Sequence, residues 1–120
     1  MANGYVGKIL RIDLTNGKTE IETPPEEFYR TYFGGRGLVS YYLLNELSGG
    51  VDPLSPENVM VFSAGPLCGT PVAGQSRNSI GAKSPLTGGY GDGEMGGYWG
   101  QELKRAGFDA IIIKGKAPRP

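Results

Sequence analysis

The sequence predicts an α+β domain, β-sheets with flanking helices, and three features of its patterning carry that expectation. Residues 7–14 alternate apolar and polar side chains and run into Asn16-Gly17, a pair suited to a tight hairpin turn. Two short apolar runs, Val59 to Ala64 and Asp109 to Lys114, are bounded by turn residues, as well-buried strands are. Between the hairpin and the first run lie stretches with helical spacing, punctuated by glycine pairs.

Leu10, Ile12 and Leu14 supply the apolar face of the first strand, and Lys18 to Glu22 returns as its partner. Thr23-Pro24-Pro25-Glu26-Glu27 carries the prolines and first-turn acids of a helix start, with Phe28, Tyr32 and Phe33 expected to face inward. Gly34-Gly35 breaks that helix. A second is predicted from Leu38 to Leu47, burying Leu38, Tyr41, Tyr42 and Leu44, and Gly49-Gly50 ends it. Asp52-Pro53-Leu54-Ser55-Pro56 makes a rigid connection to the Val59–Ala64 strand, and a loop follows from Gly65 to Gly74. Arg77 to Lys83 reads as another strand, weakened by Gly81. Ser84 to Gly97 reads as a glycine-rich loop. A helix from Tyr98 to Ala106, closed by Gly107, leads into the last strand. That strand lies close to Pro120 and leaves little chain to cover it. Residues 1–120 are therefore expected to be one portion of a domain in a larger protein.

Composition narrows the functional classes. Lysine plus arginine equals aspartate plus glutamate at 12 each, so no overall basic field draws nucleic acid or an anionic membrane surface. No histidine is present, which removes the commonest general base and neutral metal ligand. The single cysteine, Cys68, can form neither an internal disulfide nor a multi-thiolate metal site. No apolar run approaches the ~20 residues of a membrane span, so a cytoplasmic chain is expected. With 21 glycines and 9 prolines in 120 residues, loops are abundant, but they alternate with apolar runs that mark an ordered domain.

The segment from Gly88 to Gly97, feeding the helix at Tyr98, is the strongest local signal. Glycines let backbone N–H groups approach a ligand closely, and a helix N-terminus adds partial positive charge, so an anionic group would suit the place. A plain turn region has the same composition, and the segment matches neither the dinucleotide fingerprint nor the phosphate loop. Arg77 sits among small residues before a strand, where a guanidinium can pair with a phosphate or a polar heterocycle, or simply face solvent. Arg36 reads as part of a helix-to-helix turn, Cys68 as a small buried residue, and Tyr98-Trp99 as core.

In register, these segments resemble the aldehyde ferredoxin oxidoreductase family. The resemblance runs through Gly7-Lys8-Ile9-Leu10-Arg11-Ile12-Asp13-Leu14-Thr15-Asn16-Gly17, Phe33-Gly34-Gly35-Arg36-Gly37-Leu38 and Val51-Asp52-Pro53-Leu54-Ser55-Pro56-Glu57-Asn58. It continues through Ala64-Gly65-Pro66-Leu67-Cys68-Gly69-Thr70, Lys83-Ser84-Pro85-Leu86-Thr87-Gly88 and Gly96-Gly97-Tyr98-Trp99-Gly100-Gln101-Glu102-Leu103-Lys104, and ends at Ala106-Gly107-Phe108-Asp109-Ala110-Ile111. It implies part of a two-sheet N-terminal domain on which a bis-pterin holding tungsten or molybdenum rests, with magnesium between the pterin phosphates. It also implies aldehyde oxidation to carboxylic acids, with electrons passing through a four-iron cluster to ferredoxin or another electron-transfer subunit. A tungsten subunit of the benzoyl-coenzyme A reductase type is the alternative, and a non-catalytic cofactor-binding or interaction module is a further one.

The resemblance also assigns residues. Arg77, six positions before Lys83, falls where the family has a pterin-contacting arginine. Glu94 stands where family members carry an asparagine whose backbone carbonyl ligates the magnesium. Gly96, with Gly97 beside it, falls at the family's pterin-flanking glycine. No catalytic side chain is assigned, and the 120-residue piece alone is expected to be inactive. One cysteine cannot hold four irons, so the cluster belongs to the full-length enzyme. Homo-oligomer formation is left open by the sequence.

Overall fold

The computed structural model describes residues 4–119 as six strands and three helices. In chain order they are β1 (Ile9–Asp13), β2 (Lys18–Glu22), α1 (Glu26–Tyr32), α2 (Arg36–Glu46), β3 (Val59–Ala64), β4 (Asn78–Lys83), β5 (Tyr90–Met95), α3 (Trp99–Arg105) and β6 (Ala110–Lys114). The strands form one mixed sheet in the order β2-β1-β6-β3-β4-β5. Only β1 and β6 run parallel, Ile9 opposite Ala110; every other neighbouring pair is antiparallel. The α+β expectation stands, and the hairpin, the Val59–Ala64 strand and the final strand lie where the sequence places them.

The side-chain faces of the hairpin differ from expectation. Ile9 is fully buried under the helices, whereas Leu10 and Ile12 are half-buried on the opposite face and Leu14 is 39% exposed. Side chains alternate with period two, so the choice between Ile9 and Leu10 fixes the whole strand. The helix-facing row is then Ile9, Arg11 and Asp13. Arg11 sits there because it is neutralised: Nη1 donates to Glu22 at 3.0 Å and Nη2 to Glu46, the last residue of α2, at 2.7 Å. Tyr42 donates its hydroxyl to Glu22 at 2.8 Å. Burial, then that hydrogen bond and the glutamate charge, push the Tyr42 phenol well above its ordinary range.

The principal core lies between α1, α2 and the sheet. Ile9, Val59, Val61, Ala110 and Ile112 meet Leu38, Val39, Tyr42 and Leu43, with Tyr29 from α1. Each such large apolar side chain contributes roughly 1.5–3 kcal/mol on burial. Leu44, expected in this stripe, is 81% exposed because α2 turns Leu43 inward instead. Gly81 explains how closely α2 lies on β4: a Cβ there would stand 2.3 Å from Val39 Cγ1. The glycine that weakens the strand in isolation is what the helix requires.

At the end of α1 the chain makes a γ-turn. Phe33 has φ 61° and ψ −72°, and Gly34 N–H donates to Tyr32 C=O at 2.8 Å. Such turns are rare and strained for a residue with a side chain. The turn throws Phe33 outward, 66% exposed, so Tyr29 rather than Phe33 fills the core from α1.

On the other side of the sheet α3 packs through Leu103 with Ala64, Cys68, Phe108 and Ile111. Lys104 and Asp109 form a buried ion pair, Nζ to Oδ1 at 2.5 Å. Asp109 also accepts from Val6 N–H and Gly7 N–H, while Lys104 donates to Gly4 C=O, so the pair ties the entering chain to β6 and α3.

Candidate functional site

Within the glycine-rich segment from Ser84 to Gly97, where the sequence marks no strand, Tyr90–Met95 is an edge strand. Residues Tyr90–Met95 pair with β4 in the register Ser79↔Glu94, Gly81↔Asp92 and Lys83↔Tyr90. Alternation of Gly91 and Gly93 with Asp92 and Glu94 leaves one face of the strand bare up to Met95, which reads as loop in composition yet satisfies a ladder. The strand pairs on one side only, with β4, and within the segment residues 84–89 and Gly96-Gly97 lie outside it.

That pairing brings the sequence-predicted residues together. The ladder closes at Asn78↔Met95, so the segment Gln75-Ser76-Arg77 entering β4 runs beside Gly96-Gly97 leaving β5. Between them is an open cleft of about 330 Å³ lined by Gly74, Gln75, Ser76, Gly97, Tyr98 and Gln101. Gly97 has φ +80°, a conformation in which a side chain is strained. At Gly96 a Cβ would come 3.6 Å from Ser76 Oγ, so a large side chain would crowd the neighbouring loop.

The loop bearing Arg77 is fixed from below. The Arg77 carbonyl accepts from Gly65 N–H at 3.3 Å and from the Cys68 thiol at 3.1 Å. Gly100 of α3 packs so tightly there that a Cβ would meet Cys68 Sγ and Asn78 Nδ2 at 3.1 Å. Cys68 is thus buried and structural, as the sequence suggested. The Arg77 side chain is exposed and makes no hydrogen bond or ion pair with the described residues. A cation on a fixed backbone with its five donors unused is equipped to meet an anion or a planar polar ring.

Gln75 adds a feature the sequence did not flag. Its Nε2 donates to Thr70 C=O at 2.7 Å, while its buried Oε1 has no partner among the described residues. An unpaired buried acceptor costs stability, so it marks a place where a ligand N–H would be favoured. Asn78 Oδ1 is likewise unpartnered. Tyr98, expected as core, is 79% exposed at the cleft, and Trp99 packs against Phe62 in a tilted arrangement with ring centroids 5.4 Å apart.

Glu94 lies on the edge strand with its side chain on the α2 side. Its Oε1 accepts from Ser79 Oγ at 3.4 Å and lies 3.5 Å from Arg36 Nε. Arg36 Nε also forms a close ion pair with Asp92 Oδ2. Arg36, expected in a helix-to-helix turn, is the first residue of α2 and joins that helix to β5. Nothing in the local sequence signals this, because the partners lie 56 and 58 positions away. Among the described residues no group of three or more His, Cys, Asp or Glu side chains could hold a metal ion, and no helix is long and apolar enough to cross a membrane.

Comparison with known proteins gives a consistent result. The family model for the aldehyde ferredoxin oxidoreductase N-terminal domain matches residues 9–120. The tungsten-containing aldehyde ferredoxin oxidoreductase of Pyrococcus abyssi is 51% identical over 117 residues, covering 98% of this chain and 19% of that protein. The aliphatic sulfonate oxidoreductase WOR-like subunit of Pyrococcus furiosus is 40% identical over 119 residues. Among solved structures, the active-site complex BamBC of benzoyl-coenzyme A reductase, with 1,5-dienoyl-CoA, superimposes with a TM-score of 0.94 at 40% identity. It covers 98% of this chain and 18% of that one. The chain thus spans about a fifth of the length of these relatives.

Proposed function

This chain belongs to the aldehyde ferredoxin oxidoreductase family, and from that premise we propose that it forms the part of the N-terminal domain that cradles a tungsten- or molybdenum-bis-pterin. The protein containing it would oxidise aldehydes to carboxylic acids, with ferredoxin or another electron-transfer subunit as acceptor. The observation that carries this reading is the cleft between the Gln75–Arg77 and Gly96–Tyr98 loops, with a free guanidinium beside it and an unpaired acceptor in its wall.

The residues fit such a group. Pterin rings carry N–H donors, which suit Gln75 Oε1, and pterin phosphates suit Arg77 and the main-chain amides at Gly96 and Gly97. In this reading the Glu94 main-chain carbonyl contributes to a magnesium site between the phosphates. When bound, the metal-pterin supplies the two-electron redox chemistry, and the protein supplies binding and orientation. No residue here acts as acid or base at the substrate, and the single cysteine cannot hold a four-iron cluster, so both functions fall to other parts of the polypeptide.

Arg77→Ala in the complete polypeptide tests the proposal. Tungsten plus molybdenum per chain is expected to fall while the fold is retained, since a charge-assisted pair contributes about 1.5–3 kcal/mol. Unchanged metal content would refute it. A second reading, the corresponding part of a benzoyl-coenzyme A reductase-type tungsten subunit, is favoured by the close superposition on the BamBC complex. Turnover of aldehydes against aromatic coenzyme A thioesters by the complete protein separates the two.

A further inference from the structure

We infer that Arg36 is a positioning residue that neutralises Glu94 and Asp92, so that two carboxylates on the strand leading into the cleft do not repel the anionic ligand. The inference rests on the cofactor-cradling reading above and assigns a role to a residue outside the cleft wall.

The geometry begins with β5. Register with β4 sets Asp92 and Glu94 on one face of the edge strand, the face towards α2. Glu94 is two residues from Gly96, so their Cα atoms are at most about 7 Å apart. The carboxylate itself lies on the α2 face of the strand, so its field on an anion at the Gly96–Gly97 turn is partly screened over the Debye length of about 8 Å at physiological ionic strength. A glutamate at this place needs compensation. Arg36 supplies it, with Nε paired to Asp92 and 3.5 Å from Glu94 Oε1, and Ser79 adds a hydroxyl donor at 3.4 Å.

Arg36 is held in position by the helix it begins. Gly35 N–H donates to Ala64 C=O at 3.1 Å, fixing the helix start against the end of β3. Gly35 has φ +53°, and a Cβ there would stand 3.3 Å from Ser79 Oγ. The glycine pair therefore does more than break a helix: it sets the first turn of α2 directly beside Ser79 and the carboxylates of β5. Arg77, next in sequence to Ser76 of the cleft, has no such partner among the described residues. One arginine is spent on the protein's own acids, and the other is left for the ligand.

The test compares four forms of the complete polypeptide by tungsten plus molybdenum per chain, with protease resistance as the check of folding. Arg36→Ala is expected to lower metal content by about two- to threefold, the effect of one uncompensated unit charge about 10 Å away in a largely solvent-screened site. Adding Asp92→Asn and Glu94→Gln to Arg36→Ala is expected to restore the content to near that of the parent. Normal content in Arg36→Ala overturns the inference. So does continued depletion in the triple variant, which would make Arg36 a direct ligand contact. If Arg36→Ala does not fold, the charge-free triple variant decides alone: near-normal content supports the role and depletion refutes it. Arg77→Ala separates the two levels of the reading. Depletion there with normal Arg36→Ala content leaves the cradle standing and removes the role of Arg36, whereas normal content in Arg77→Ala removes the cradle itself.

Discussion

The helix-covered half of the sheet and the cleft end of the same sheet are built to opposite standards. Under α1 and α2 the packing has no slack: Gly81 is the only size of residue that Val39 admits, and even Arg11 there has both partners in place. At the start of β4, beside the cleft and only three residues from Gly81, polar atoms are left unpaired. Gln75 Oε1 and Asn78 Oδ1 are buried without partners, and Arg77 stands free on a fixed backbone. Tyr29 Oη, in the closed half, is the other buried side-chain atom without a hydrogen bond among the described residues, so two of the three such atoms fall at the end of the sheet proposed above to receive another molecule.

The comparison can be broken experimentally, and the largest effect lies in the closed half. Asp109→Ala would strand Lys104 as a buried charge and release Val6 and Gly7, for a loss of about 3–5 kcal/mol seen as a lower unfolding temperature and reduced soluble yield. A mild effect there would mean the interior tolerates unpaired groups and would erase the contrast. Gly81→Val drives a side chain into Val39 and is expected to cost about 1–3 kcal/mol by denaturant unfolding. Phe33→Gly relieves the positive-φ strain of an exposed residue and should stabilise by about 1 kcal/mol, measured the same way. Smallest in stability is Gln75→Leu. It loses one hydrogen bond to Thr70 but also removes an unpaired buried acceptor, for a net change of under about 1 kcal/mol. Metal content of the complete protein should nevertheless fall in that variant, and retained content would show that Gln75 is not a ligand contact.

Much of the architecture was legible because it is local. Asn16-Gly17, the Val59–Ala64 run and Gly107 after α3 each carry their signal within a few residues. Apart from Phe33, turned outward by a local γ-turn, two of the misreadings are cases in which a distant element decides. Whether Ile9 or Leu10 faces the helices depends on which side of the sheet α2 lands, and both are apolar. The strand Tyr90–Met95 has a loop's composition, and only β4 beside it makes it a strand. At the site, Arg77, Glu94, Gly96 and Gly97 came from motif register, and the structure does bring their segments side by side. Gln75 and Arg36 had no such signal: one matters through an absent hydrogen bond and the other through partners more than fifty residues away.

The parallel contact between β1 and β6 has a consequence for how the molecule is made. The first hairpin can close as soon as it leaves the ribosome, but its only route into the sheet is through residues 110–114, which emerge about a hundred residues later. Until then Ile9 and Arg11 have no strand on that side. Loop entropy over that span makes the final docking a slow, long-range event. The nascent chain must therefore hold an unfinished edge open, and slowing elongation before Ala110 should prolong the period in which a chaperone can capture it.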